Sequence, residues 1–455
     1  MIDPSCLAVI LAAGEGTRMK SDLPKVLHAV GGRPLIDAVL ESARAGGASR
    51  LAVVIGAGAD KVRAHLGKTA PDAQVFEQRE RLGTAHATLA AREALVDHRG
   101  PVLVLFGDTP LVRPSTISAL TARLSAGADI ALLGFKTDTP TGYGRLIVKD
   151  GRLTAIVEEK DADAATKEIR LCNSGIMAFK PGLLPELLEA IGNANAKGEY
   201  YLTDAIAVAT ARGLRAEAVI GDDESEFVGI NDRAQLAAAE AIFQQRMRAE
   251  AMAAGVTLAA PETVFFSFDT KLDRDVVVEP NVVFAPGVSV ASGATIRAFS
   301  HLEGAKVAGG AIVGPYARLR PGADLAENVH VGNFVEIKNA RVDRGAKVNH
   351  LTYIGDASIG ARTNVGAGTI TCNYDGFFKH KTVIGADVFV GSNTVMVAPV
   401  TVGDNALTAA GSVITSDVPG DAMAFGRARQ EVKEGMGAAK KAMLAAKKAA
   451  AKAGG

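Results

Sequence analysis

Two groups of residues have types and spacings suited to chemistry. The first opens at Leu11–Lys20, LAAGEGTRMK, directly after an apolar run. Small residues and glycines at a strand end let backbone N–H groups approach a phosphate or a base closely. Arg18 and Lys25 add positive charge near Gly14. The spacing is G-x-G with no third glycine and no following GK[ST], so neither the dinucleotide fingerprint nor the Walker A loop is complete. FGDTPL puts Phe106, Gly107 and Asp108 at the end of another apolar run, where ligands of α/β sheets collect. Asp-Thr-Pro is also an ordinary turn or N-cap sequence, and the residue types alone leave both readings open.

The second group lies farther along. It comprises Arg320 in ARLRPGA, Lys338 in VEIKNA, and His350 and Tyr353 in NHLTYIGD, followed by Asn364, Asn373, Tyr374, Lys379, Ser392, Ala410 and Arg427. A single His on a repetitive scaffold is usually a surface or corner residue. Arg320 and Lys338, however, stand 18 residues apart. If that distance is one coil, two cations stack on one face and repel unless an anion lies between them. A sugar phosphate is such an anion. A neutral His beside it can take a proton from an attacking amine near pH 7.

The elements that must position these residues fall into two kinds. In the first half, Cys6–Ala13, Arg50–Ile55 and Pro101–Phe106 are short apolar runs suited to buried parallel strands. Helical stretches such as Pro34–Ala45 and Gly83–Ala94 alternate with them, which predicts a mostly parallel α/β sheet in a domain over residues 1–230. Residues 231–255 are rich in Ala, Gln, Glu and Arg and predict one long connecting helix, with Leu236, Ile242, Phe243 and Met247 as its apolar face.

From about Val276 apolar residues recur every six positions. One run is Val278, Phe284, Val290, Ile296, Leu302, and the next is Val313, Leu319, Leu325, Val331, Ile337. The register slips to Val342, Val348, Ile354, and a last run goes from Ile384 through Val390, Met396, Val402 and Thr408 to Ile414. A period of six is the signature of a parallel β-helix, here assigned to residues 256–433. Three hexapeptides make one triangular coil, and inward side chains stack on the coil below, since no repeat can bury its core alone. About seven coils at roughly 4.8 Å each give a prism roughly 35 Å long. The period breaks between Val365 and Val383, where two Phe and a Tyr predict a loop that covers a ligand or a neighbouring subunit. Residues 434–455 form an Ala/Lys tail with no assigned catalytic role.

Composition bounds the function. Fifty basic and fifty acidic residues among 455 give zero net charge, which argues against a general nucleic-acid or membrane-surface binder. The 49 glycines imply many tight turns. Cys6, Cys172 and Cys372 form no CxxC pair, which argues against a zinc site and fits reduced thiols. With no membrane-length apolar run and no basic stretch at the N-terminus, a cytoplasmic protein is expected.

The string LAAGEGTRM…LPK resembles the signature of sugar-1-phosphate nucleotidylyltransferases, which implies a Rossmann-like α/β fold for that domain. Gln78 ahead of LGTAHA, GYGRL, IVEEKDA, CNSGI and FVGINDR point the same way. Together with ARLRPGA, VGNFVEIK, HLTYIGD, NVGAGTITCNYDG and VFVGSNT, residues from about 5 to 430 resemble the bifunctional bacterial N-acetylglucosamine-1-phosphate uridylyltransferase/glucosamine-1-phosphate N-acetyltransferases.

That resemblance implies a left-handed β-helix, a homotrimer with acetyl-transfer sites between adjacent prisms, and UDP-N-acetylglucosamine as the product, feeding peptidoglycan and lipopolysaccharide. It implies Arg18 and Lys25 as catalytic residues for attack of N-acetylglucosamine 1-phosphate on UTP. Leu11, Ala12, Ala13, Gly14, Gln78, Gly83, Thr84, Phe106, Gly107, Asp108, Gly144, Glu158, Asn173 and Asn231 line that site by the same resemblance, with Asp108 and Asn231 holding Mg²⁺. It implies His350 as the base for acetyl transfer from acetyl-CoA, and Arg320, Lys338, Tyr353 and Asn364 as the holders of glucosamine 1-phosphate. Ala367, Asn373, Tyr374, Ser392, Ala410 and Arg427 contact the sugar phosphate or acetyl-CoA. The chain departs from the family at Arg81, where Gln is frequent, at Phe106, where Tyr is frequent, and in its Ala/Lys tail. A single-activity nucleotidylyltransferase with a scaffold or regulatory β-helix is the alternative.

Overall fold

The computed structural model describes residues 5–56, 59–149, 151–195 and 197–453. They form two compact units. One runs up to Ala253 and includes Phe265–Thr270, and the other holds Ala254–Val264 and the chain from Lys271 onward.

The first unit is built on a sheet whose main path runs Ala216–Gly221, Ile130–Lys136, Leu171–Phe179, Val102–Phe106, Cys6–Ala12, Ala48–Gly56, Gln74–Gln78. Only Leu171–Phe179 runs against its neighbours on this path. Cys6–Ala12 is buried at every position, as an apolar strand covered on both faces must be. Alternate residues feed two cores: Ala8 and Ile10 enter one, Leu7 and Val9 the other. The single helix expected over Gly83–Ala94 is two, Thr84–Ala90 and Arg92–Val96. They part at Ala91, which is fully buried with φ −89° and ψ 20° and whose N–H turns to Thr88 O at 3.1 Å. The long helix Arg233–Ala253 packs on this unit through Leu236, Ile242 and Phe243 against Val30, Leu35 and Leu111. Buried Gln244 is held by Phe266, donating to its carbonyl at 2.7 Å and accepting from its N–H at 2.8 Å.

The second unit is a continuous parallel coil of 22 strands, Thr257–Leu258 to Met423–Ala424, all of two or three residues except His330–Val342 and Lys347–Ile359. One column of inward residues reads Leu258, Val278, Ile296, Val313, Val331, Val348, Val365, Val390, Thr408, Ala424. That is ten layers, not about seven: one, at Leu258, lies ahead of the clear sixfold rhythm and one, at Ala424, lies beyond it. Every hexapeptide position named from the sequence is buried. The column that starts at Phe284 continues through Leu302, Leu319, Ile337, Ile354, Thr371, Met396 and Ile414. The third reads Leu272, Val290, Val307, Leu325, Val342, Ile359, Ile384, Val402 and Val418.

These columns explain the slipped register. From the first column to the second, and from the third to the first, the step is six residues in every coil. From the second to the third it is five at Leu302–Val307, Ile337–Val342 and Ile354–Ile359, 13 at Thr371–Ile384, and four at Ile414–Val418. All irregularity is therefore confined to one corner, and the aromatic loop emerges there. Met436–Ala453, after the coil, is a helix exposed through Lys452.

Candidate active sites

In the first unit a cavity of about 730 Å³ opens at the carboxyl ends of the parallel strands. Leu11, Ala12, Ala13, Gly14, Lys25, Gln78, Gly83, Thr84, Phe106, Asp108, Glu158 and Asn173 all line it. Two further expected residues brace these. Gly107 N–H donates to Leu11 O at 2.9 Å, and Gly144 O accepts from Asn173 N–H at 2.8 Å. A Cβ on Gly144 would lie 3.3 Å from Glu158 Oε1, so Gly leaves room beside that carboxylate. Arg18, on the turn Thr17–Met19, is exposed and not part of the lining.

Lys25 ties this wall together. Its Nζ donates to Asp108 Oδ2 at 2.5 Å and to Asn231 Oδ1 at 3.1 Å, so residues 206 positions apart converge on one cation. A carboxylate and an amide oxygen are hard donors of the type Mg²⁺ takes, with phosphate and water completing its shell. Among the described residues no cluster of three or more His, Cys, Asp or Glu could hold a metal alone. The donor set thus fits an ion shared with a phosphate ligand.

Four cations (Lys25, Arg81, Lys160, Lys197) and five carboxylates (Asp108, Glu158, Glu159, Asp161, Glu199) line the cavity. Burial raises the Glu158 carboxyl above its ordinary range, and Asp161 and Asp204 add to this against a Thr203 hydrogen bond. Arg81, the departure noted above, pairs with Glu15.

In the coil, the cation cluster lies at the irregular corner. Leu319 pairs with Ile337, which puts Arg320 and Lys338 on successive layers. Glu336 holds Arg320 at 2.7 Å. The Lys379 ammonium, from the inserted loop, lies beside Lys338 and lowers its pKa, and Arg320 adds to the effect. Three cations therefore share one anion-sized region. Asp375 organises the loop: its Oδ1 accepts from Phe377 and Phe378 N–H at 2.8 and 2.7 Å, and Oδ2 meets His380 at 2.7 Å. These bonds, that to Phe378 foremost, hold the Asp375 pKa down at about 2. Asn373 on the same loop bonds Asp356.

His350 stands at the opposite, regular end of the same face, where Asn333 pairs with it in the next layer. Its Nδ1 is 3.2 Å from Asn333 Oδ1. An amide oxygen only accepts, so Nδ1 carries the proton and the Nε2 lone pair is free. Corner bonds Gly368 N to His350 O, Asn393 N to Ala367 O and Gly411 N to Ser392 O place His350, Ala367, Ser392 and Ala410 in one column. Tyr353 lies on the face between the two ends, paired with Glu336. Asn364 is on the adjoining face, above Lys347, and Arg427 lies exposed beyond the last coil.

Comparison with known proteins agrees with both halves. Residues 8–198 match the MobA-like NTP transferase domain, and residues 381–416 match the bacterial transferase hexapeptide (six repeats). Bifunctional protein GlmU of Azorhizobium caulinodans is 58% identical over 97% of this chain and 98% of its own. Its counterparts in Xanthobacter autotrophicus (59%, 96% and 97%) and Agrobacterium fabrum (54%, 99% and 99%) are similar along the whole length. The chain belongs to the GlmU family of bifunctional proteins. The coil extends far beyond the matched repeats, from Thr257 to Ala424.

Sequence reasoning missed several residues that the fold brings to these sites. Asn333 carries a signal only once its pairing with His350 is known. Arg145, 2% exposed, bonds Glu159, which lines the first cavity. The GYGR string contained it, but nothing in the string indicated that its guanidinium is buried.

Proposed function

We propose that this chain makes UDP-N-acetylglucosamine in two steps at two separate sites. It acetylates glucosamine 1-phosphate from acetyl-CoA, then couples the product to UTP and releases pyrophosphate. The observation that carries this reading is near-full-length similarity to bifunctional GlmU proteins, matched by one site cluster in each structural unit.

In the uridylyl step an oxygen of N-acetylglucosamine 1-phosphate attacks the α-phosphorus of UTP, and the bond to the β-phosphate bridge breaks. No protein nucleophile is needed, because positioning and charge neutralisation suffice. Lys25, already fixed by Asp108 and Asn231, offsets the phosphate charge, with Arg18 on the adjoining turn. Mg²⁺ held by Asp108 and Asn231 supplies further neutralisation of the phosphates. The turn Leu11–Gly14 with Gln78, Gly83 and Thr84 takes the nucleotide, and Gly144, Glu158 and Asn173 take the sugar.

In the acetyl step the sugar amine attacks the thioester carbonyl carbon. His350 Nε2 takes the amine proton, the C–S bond breaks, and the proton passes to the departing CoA sulfur. Arg320, Lys338 and Lys379 bind the sugar phosphate, while the Ala367, Ser392 and Ala410 column accepts acetyl-CoA along the prism.

The acetyl site is completed by neighbouring copies in a homotrimer. Two features support this. Asn364 and Arg427 lie away from the face that carries His350. In addition, Phe299, Tyr316 and Phe334 form an exposed stacked ladder, with ring centroids 4.9 and 5.3 Å apart. Each has φ between 53° and 59°, a conformation unfavourable for bulky residues and retained here on a face suited to another subunit. We place the reaction in the cytoplasm. No helix among the described residues is long and apolar enough to cross a membrane.

One incubation tests the whole reading. With acetyl-CoA, glucosamine 1-phosphate, UTP and Mg²⁺, both free CoA and pyrophosphate should appear. Pyrophosphate from UTP and N-acetylglucosamine 1-phosphate, without CoA release in the full mixture, would leave only the nucleotidylyltransferase.

A further inference from the structure

Gln78 ends the strand Gln74–Gln78, is only 5% exposed, and lines the first cavity. Its Nε2 lies 3.3 Å from Gly83 O and 3.2 Å from His86 Nδ1. A backbone carbonyl can only accept, so the NH₂ end of the amide must face Gly83 and the amide cannot be reversed. Gly83 is itself immovable. Its φ is +107°, and a Cβ there would meet Tyr200 O at 2.4 Å, so its carbonyl direction is set by close backbone packing.

His86, in the first turn of Thr84–Ala90, completes the arrangement. Its Nδ1 is the second acceptor, which puts the ring proton on Nε2. Both N–H groups of Gln78 are then engaged, and no donor among the described residues reaches its Oε1. Oε1 is thus an unengaged acceptor on a residue that lines the first cavity. His86 does not line that cavity. It faces a second one of about 410 Å³, with Glu77, Arg79 and Glu80.

We propose that His86 is the positioning residue for base choice: by holding the Gln78 amide it leaves Oε1 facing the base, which selects a pyrimidine that offers an N3–H. Uracil and thymine carry that donor. Cytosine has a lone pair at N3, so two acceptors would face each other, desolvated and unpaired. Sites built on one buried hydrogen bond reject a partner lacking the matching group strongly, because the protein atom is stranded. The inference rests on the reading of the first cavity as the nucleotide site, with Gln78 on its base side.

The test compares kcat/KM for UTP, dTTP and CTP in pyrophosphate release. In His86→Leu the Gln78 amide loses one of its two anchors, and the UTP:CTP ratio should fall at least tenfold while the UTP:dTTP ratio stays. His86→Asn can still offer an acceptor oxygen and should keep the UTP:CTP ratio within about threefold of wild type. An unchanged UTP:CTP ratio in His86→Leu, or equal loss on all three nucleotides, would overturn the proposal. Should that variant not fold, the wild-type enzyme still decides. UTP methylated at N3 should compete with UTP at least tenfold more weakly than dTTP does, and equal competition sinks the idea. Wild type inactive with UTP and N-acetylglucosamine 1-phosphate would instead reject the underlying nucleotide reading.

Discussion

Lys25 Nζ and Asp108 Oδ2 lie 2.5 Å apart, with side chains only 11% and 21% exposed. The pair joins the end of one strand to a turn 83 residues earlier and holds the ammonium at the cavity wall. Lys25→Met should lower kcat/KM for uridylyl transfer by about 10²–10³-fold, the scale for losing one preorganised charge-stabilising donor. Leaving Asp108 without its partner should cost about 1.5–3 kcal/mol of stability. Steady-state kinetics with urea denaturation of the same samples checks both, and an intact kcat/KM contradicts the assignment.

The hard-oxygen pair of Asp108 and Asn231 predicts a metal requirement confined to one activity. Chelation with EDTA should stop pyrophosphate release and leave CoA release unchanged. Asp108→Asn should raise the Mg²⁺ concentration for half-maximal uridylyl transfer at least tenfold. Loss of acetyl transfer on chelation contradicts the separation of the sites.

His350 is held by Asn333 at 3.2 Å, and this makes a prediction in pH. His350→Ala should lower acetyl transfer by about 10²–10⁴-fold, the usual contribution of a positioned base. Asn333→Asp puts a carboxylate against the ring and favours its charged form. A more basic His350 becomes neutral only at higher pH, so the acid limb of the kcat profile should move upward. A profile that keeps its shape, with only its height changed, would reduce Asn333 to a packing role.

Burial raises the Glu158 pKa, so the native state holds that proton more tightly than the unfolded chain does. Ionising Glu158 therefore removes stability as pH rises through the carboxylate range and above it. Glu158→Gln removes this loss. Its Tm relative to wild type should be higher at pH 7 than at pH 4, even though sugar binding suffers. An equal difference at both pH values would contradict the direction of the shift.

Much of the architecture was legible because burial obeys period. Val278 through Ile414 could be placed as inward residues from spacing alone, since each must stack on its own column. Val307 and Ile359 escaped that reading because each follows a five-residue step, which moves the pattern out of phase. The break at Ala91 was equally hidden, since an Ala-rich stretch carries no local sign of where a turn tightens. For the sites, glycine turns and strand-end residues such as Asp108 were readable as motifs. The meeting of Lys338 with Lys379 was not: 41 positions and an inserted loop separate them, and only the coil register brings the two together. The hold of His86 on Gln78 likewise depends on the direction of one backbone carbonyl.

The coil has two corners of fixed length and one that takes four, five, six or 13 residues. That third corner is a seam along the prism. Chain can be added or removed there while the layers above re-enter in phase, because the next two steps are six whatever precedes them. The Asn373–Lys381 loop is one use of the seam, and the neighbouring Arg320 and Lys338 show that binding chemistry gathers where length is free. Foreign peptides grafted between Glu303 and Lys306, on the same seam several layers from that loop, would be carried without rephasing the core.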